Sequence, residues 1–155
     1  MFVVLNHLGD HLVDVARDGV VGNLVDRGFG VGVDRNDHGR AAVDYYGWKK
    51  ALMGYVRILK NGGILYLSVP VGKEQKVMFN AHRIYRPWTI VRTAVDDMRL
   101  EEFTYFHQGV RTTLDFTHDD DMEHIASILE NVADNYLGNY DCGIFIFRKE
   151  GQADE

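Results

Sequence analysis

Eight consecutive residues, Ile64-Leu65-Tyr66-Leu67-Ser68-Val69-Pro70-Val71, constrain this chain more than any other segment, because they read as a strand that is apolar on both faces. An interior strand of a parallel sheet looks like this. The run falls far short of the ~20 residues that a membrane span needs. Pro70 belongs at its end, where no ladder donor is required. Just upstream, Tyr45, Trp48, Leu52, Val56 and Leu59 share one face at helical spacing, with Lys49, Lys50, Arg57 and Lys60 largely off it. Asp44 is expected to cap this helix, and Asn61-Gly62-Gly63 to stop it where a left-handed residue is wanted.

Beyond the strand, residues 72–86 read as a loop, and Pro87 is placed as the first residue of a second helix carrying Trp88, Ile90, Val91 and Ala94. Residues 100–106 read as a second strand, more exposed on one face. Asp119-Asp120-Asp121 opens a third helix whose buried stripe is Met122, Ile125, Leu129, Val132 and Ala133. Residues 143–148, Gly-Ile-Phe-Ile-Phe-Arg, are again apolar on both sides and are expected to be central in their sheet. Three helix-strand steps in succession predict an α/β layered domain.

With 155 residues, 46% hydrophobic, the chain has the make-up of one ordinary soluble domain with a real core. The single Cys142 excludes an internal disulfide framework and a zinc site built on paired cysteines. A net charge of -6 argues against nucleic acid as partner, since a basic face is what neutralises phosphates. No membrane span and no signal-peptide stretch is legible, so a cytoplasmic domain with a small-molecule ligand is expected. Composition nevertheless divides near residue 44, before which every acid is Asp and every base is Arg. The expected organisation is an atypical Gly/Val/Asp-rich segment over 1–43, an α/β domain over 44–149 and a polar tail over 150–155.

Several runs carry a resemblance: Tyr46-Gly47-Trp48-Lys49-Lys50-Ala51-Leu52, Leu59-Lys60-Asn61-Gly62-Gly63, Leu65 to Lys73, Phe79-Asn80-Ala81-His82-Arg83-Ile84-Tyr85, and Cys142 to Phe147. Over residues 46–149 the chain resembles the uncharacterised family catalogued as domain of unknown function 268, whose members resemble S-adenosylmethionine-dependent methyltransferases. That likeness implies a Rossmann-like methyltransferase-type sheet, with residues 64–71 as its fifth strand, 100–106 as its sixth, and 143–148 antiparallel between them. It also implies S-adenosylmethionine as cofactor.

The departure lies upstream. Val25-Asp26-Arg27-Gly28-Phe29-Gly30-Val31-Gly32 spells an acid followed by alternating glycines, which makes Asp26, Gly28, Gly30 and Gly32 the candidate cofactor loop. Only about a dozen residues then lead to the first helix, too few for three further strands when one βαβ unit takes ~30 residues. Residues 1 to about 42 are accordingly expected to be a truncated, recombined or wrongly framed start, written in the vocabulary of G- and C-rich codons.

Candidate chemistry concentrates in the loop after Val71, at the carboxyl end of a strand, where open α/β sheets bind ligands. His82 is the candidate general base and Arg83 a planar clamp for carboxylate or phosphate, with Asn80 beside them. Gly72 and Lys73 are candidates for approaching an anion, although such a pair is more often just a turn. His118-Asp119-Asp120-Asp121-Met122-Glu123-His124 has metal-ligand residue types, but acids at a helix start serve the helix dipole, so no metal is expected. Cys142 is expected to be small and buried, Ser68 no nucleophile, and Trp48 and Trp88 core. The resulting expectation is a methyltransferase-like protein acting on a sugar or other small metabolite. The alternative is a non-catalytic binding or assembly domain that has lost the cofactor.

Overall fold

The computed structural model describes residues 46–78 and 83–151, together with the backbone of four short strands nearer the N-terminus. Those four form two antiparallel pairs, β1 (Leu5–Leu8) with β2 (His11–Asp14) and β3 (Gly32–Val33) with β4 (Val43–Asp44). Asp44 is therefore the ladder partner of Gly32 and not a helix cap. The first described helix, α1 (Gly47–Ile58), starts at Tyr46, which makes no side-chain capping bond.

Trp48, Ala51, Leu52, Tyr55 and Val56 form the buried stripe of α1. The helix ends at Leu59, whose backbone is already extended, so Gly62, with its left-handed φ of 76°, shapes the turn beyond and does not stop the helix; Lys149 Nζ donates to the Val56 and Leu59 carbonyls at 2.8 Å each. A cation on the last carbonyls satisfies acceptors that the helix itself cannot. There follow β5 (Ile64–Val71), β6 (Lys76–Val77), β7 (Arg83–Ile84), α2 (Pro87–Ala94), β8 (Met98–His107), β9 (Val110–Asp115), α3 (Met122–Asn135) and β10 (Asp141–Lys149). Pro87 opens α2 as expected, and Asp121 caps α3 by accepting the His124 N–H at 2.7 Å. None of these helices is long and apolar enough to cross a membrane.

The main sheet has the order β5-β10-β8-β9. β10 runs antiparallel to both neighbours, with Phe145 opposite Leu67 on one side and Phe103 on the other. The central placement expected of residues 143–148 is what forms. The Rossmann-like expectation, however, is corrected to a coarser one: a mixed α/β layer whose four-stranded sheet has only antiparallel ladders. β5, expected as an interior parallel strand, lies at the edge of that sheet. Among the described residues, its one parallel contact is a bridge from Val71 to Tyr85. Leu65, Leu67, Val69 and Val71 are buried while the residues between them are half-buried. An apolar run alone does not say which neighbours it takes.

Two further corrections concern single segments. β9 carries no apolar face that would mark it in the sequence, because its residues are mostly exposed. The turn before it, Gln108-Gly109 with φ of 49° and 80°, is a two-residue hairpin loop of the primed kind. Cys142, expected buried, is exposed, since it alternates with Gly143 and so faces away from the helices. On the buried face, Phe103, Phe145 and Phe147 join Leu65, Leu67 and the stripes of all three helices in one apolar cluster. Ring centroids of Phe103 and Phe145 lie 4.6 Å apart. Each such side chain contributes roughly 1.5–3 kcal/mol on burial. In α3 the stripe is Ile125, Leu129, Val132 and Ala133, while Met122 at the first turn is exposed.

Candidate functional site

Where β5 ends, the backbone is held tightly. Tyr85 N–H donates to the Pro70 carbonyl and Gly72 N–H to that of Tyr85, both at 3.0 Å, and Lys73 N–H donates to the Gly138 carbonyl at 3.0 Å. A Cβ on Gly72 would stand 3.0 Å from Ile84 Cγ2 and 3.1 Å from the Gly138 and Asn139 carbonyls. Gly72 therefore admits the α3–β10 loop. Its neighbour's carbonyl accepts from Arg86, which also binds Glu130 and Asp134 of α3. Burial opposes the Arg86 charge, but its hydrogen bonds to Asp134 and Glu130 outweigh that and hold its pKa above the ordinary value. The residues expected to form a structureless loop are in fact pinned at 72, 73 and 86, with β6 and β7 as a small hairpin between.

The pinning leaves a cleft of about 430 Å³, lined by Tyr46, Trp48, Lys49, Gln75, Arg83, Thr89 and Arg92. Tyr46, Trp48 and Lys49 come from the start of α1, Gln75 and Arg83 from the β5–α2 connection, and Thr89 and Arg92 from α2. α1 precedes β5 and runs back against it, so its first turn stands at the carboxyl end of the strand. A crevice there is the position that open α/β sheets use for ligands. Lys49 Nζ lies 5.7 Å from the Tyr46 ring centroid and 5.6 Å from that of Trp48. The ammonium is thereby held by aromatic faces and not by a carboxylate. Arg92 is exposed and Arg83 half-buried. Three cations and no acid stand among the described lining residues. Such a wall attracts anions, and the arginine forks suit a carboxylate or a phosphate.

Of the residues singled out in the sequence, Arg83 lines this cleft, whereas Gly72 and Lys73 spend their backbone groups on Tyr85 and Gly138. Asn80 and His82 lie outside the described residues, as do Asp26, Gly28 and Gly30. Gly32 pairs with Asp44 in β3–β4. Lys49 and Arg92 were missed as site residues, because a cation off the apolar stripe of a helix looks like any solvated charge. Asp120 accepts from the Thr117 backbone N–H at 2.6 Å and from its hydroxyl at 3.0 Å, and those bonds hold its carboxyl below the usual range. With Asp121 capping α3, the acidic run acts on local backbone.

Fold and cleft together define a small α/β domain with a crevice lined by Lys49, Arg83 and Arg92 at a strand's carboxyl end. The chain belongs to the family described as Caenorhabditis protein of unknown function, DUF268, which it matches over residues 31–128. No curated protein and no solved structure gives a significant match.

Proposed function

We propose that the protein is a cytoplasmic α/β domain of methyltransferase type that binds a small acidic metabolite, such as a sugar bearing a phosphate or carboxylate, in the cleft between α1 and α2. The observation that carries this reading is the convergence of Lys49, Arg83 and Arg92 on one crevice. Tyr46 and Trp48 supply an apolar wall, and Gln75 and Thr89 supply hydrogen-bonding groups that suit hydroxyls. The methyltransferase element rests on family resemblance, which is an analogy of fold and not of site.

S-adenosylmethionine is the cofactor which that resemblance implies. The cleft does not suit it, because a sulfonium cation there would meet the like charges of Lys49, Arg83 and Arg92. The cleft fits an acceptor better than a methyl donor. A binding domain without transfer chemistry is the second reading, favoured by the same mismatch.

A thermal-shift and calorimetric comparison tests both. Glucose 6-phosphate, glucuronate, inorganic phosphate, neutral glucose and S-adenosylmethionine are titrated separately into the full chain. A ligand present at 100 times its dissociation constant stabilises the fold by about 2.7 kcal/mol. The sugar acids are expected to do so and glucose is not, with the effect lost in Arg83→Ala. Equal binding of glucose, or no binding of any anion, refutes the reading. Stabilisation by S-adenosylmethionine would favour transfer over simple binding.

A further inference from the structure

A second constellation lies at the same edge of the sheet, outside the cleft. β8 ends at His107, β10 begins at Asp141, and Asp141 is the ladder partner of Val71, the last residue of β5. Since β10 is antiparallel to both β5 and β8, those two strands run the same way and present their carboxyl ends together. His107 Nδ1 stands 2.9 Å and 3.1 Å from the two carboxylate oxygens of Asp141. A carboxylate only accepts, so Nδ1 carries the hydrogen, and in the neutral imidazole Nε2 is then the nitrogen with the lone pair. The Asp141 side chain is 9% exposed, and it also accepts the Gly138 N–H at 2.6 Å, which fixes its orientation.

The imidazole is equally constrained. A Cβ on Gly138 would stand 3.2 Å from His107 Cε1, so the loop backbone lies close against the ring. The ring is nevertheless 32% exposed, and among the described residues nothing hydrogen-bonds Nε2. Tyr136 and Tyr140, exposed at 55% and 58%, stand at either end of the turn that leads into β10. One nitrogen is thus oriented by a half-buried carboxylate, while the ring stays partly exposed where β5 and β8 present their carboxyl ends.

We infer that His107 and Asp141 form a general-base dyad for a hydroxyl-bearing small molecule seated over the 136–141 turn. In the step it performs, the O–H bond breaks and the proton passes to Nε2. The bonding pair stays on the oxygen, which becomes the nucleophile, and the new imidazolium is held by the Asp141 carboxylate. Asp141 is a positioning residue: it selects the tautomer and offsets the charge that forms. This inference does not depend on the cationic cleft.

Two measurements test it on the full chain. Long-range proton-nitrogen correlation of the imidazoles is expected to show neutral His107 protonated at Nδ1. Asp141→Asn should remove that preference, because an amide can donate to Nδ1. Hydrolysis of p-nitrophenyl acetate supplies a chemical readout, with water as the hydroxyl, the acetyl carbonyl as electrophile and nitrophenolate as leaving group. His107→Ala and Asp141→Asn should each lower this rate by at least about tenfold, short of the ~10²–10⁴ that a base contributes on its own substrate. His124→Ala, which removes an exposed imidazole from α3, should leave it unchanged. His107→Gln keeps a partner for Asp141 without a basic nitrogen, and serves in place of His107→Ala if that variant loses its melting transition. A wild-type Nε2-protonated tautomer, or an unchanged rate in the folded His107 variant, overturns the dyad.

Discussion

Gly143 of β10 and Val71 of β5 meet so closely that a Cβ on the glycine would stand 2.6 Å from Val71 Cγ1 and 3.1 Å from Phe103 Cε2. Both neighbours are fully buried and belong to the central cluster, so neither can swing into solvent to make room. Gly143→Ala is therefore expected to overpack the sheet at a cost of about 1–3 kcal/mol. Urea denaturation should show a lower midpoint with an unchanged slope. A neutral effect would mean that β5 and β10 separate more easily than their ladder implies.

Arg86 joins the end of β5 to α3 through the Lys73 carbonyl, Glu130 and Asp134. All three side chains keep appreciable exposure, which lessens what each ion pair contributes. Arg86→Ala should cost about 1–2 kcal/mol in chemical denaturation, chiefly from the hydrogen bonds to charged groups. Arg86→Lys should recover less than half of the loss, because an ammonium cannot reproduce the fork that spans three acceptors.

The Thr117–Asp120 turn carries a pH signature. Hydrogen bonds from Thr117 hold the Asp120 carboxyl below its ordinary value of 3.8. Stabilisation by this carboxylate is therefore complete above that ordinary value and is lost as pH falls through the lowered folded-state value. Asp120→Asn should melt below wild type at pH 6, and the two melting curves should converge toward pH 2. A constant difference across that range would assign the effect to shape and not to charge.

Burial raises the phenol pKa of Tyr55, and it raises that of Tyr85 more strongly, with the Arg83 charge opposing it. For these groups the folded state holds the proton more tightly. Their contribution is present below the ordinary value of 10.0 and is lost as pH rises through the folded-state value. A spectrophotometric titration should show a late phase coincident with alkaline unfolding. Tyr85→Phe should diminish that phase and leave the earlier ionisations in place.

Arg92 lines the cleft from an exposed position on α2. Arg92→Glu should shift stability by no more than about 0.5 kcal/mol, as surface changes usually do. It should nevertheless weaken glucose 6-phosphate binding by tenfold or more, since tenfold corresponds to only ~1.4 kcal/mol. Unaltered affinity in calorimetric titration would move the anion site away from α2.

Much of the layered order is legible in the sequence because it depends on local periodicity. The stripe through Trp48, Leu52 and Val56, the opening of α2 at Pro87, the cap at Asp121 and the strand around Phe145 all follow from spacing or from one residue's stereochemistry. The candidate site is legible only in part. Arg83 stands out within a polar run between two apolar elements, but Lys49 and Arg92 are cations on helix surfaces, and nothing local distinguishes them from solvated charge. His107 and Asp141 are 34 positions apart, each just outside a segment read as a strand, residues 100–106 and 143–148.

What the sequence by itself determined is the set of elements and which face of each is apolar, since side-chain period and capping chemistry act within a few residues. Only the tertiary structure decided that β5 is an edge strand, that Asp44 pairs with Gly32, that Gly72 admits a neighbouring loop, and that His107 meets Asp141. Each of those outcomes depends on which distant backbone arrives alongside. That choice is made by the packing of whole faces and the closing of ladders, where no single stretch of sequence contains both partners.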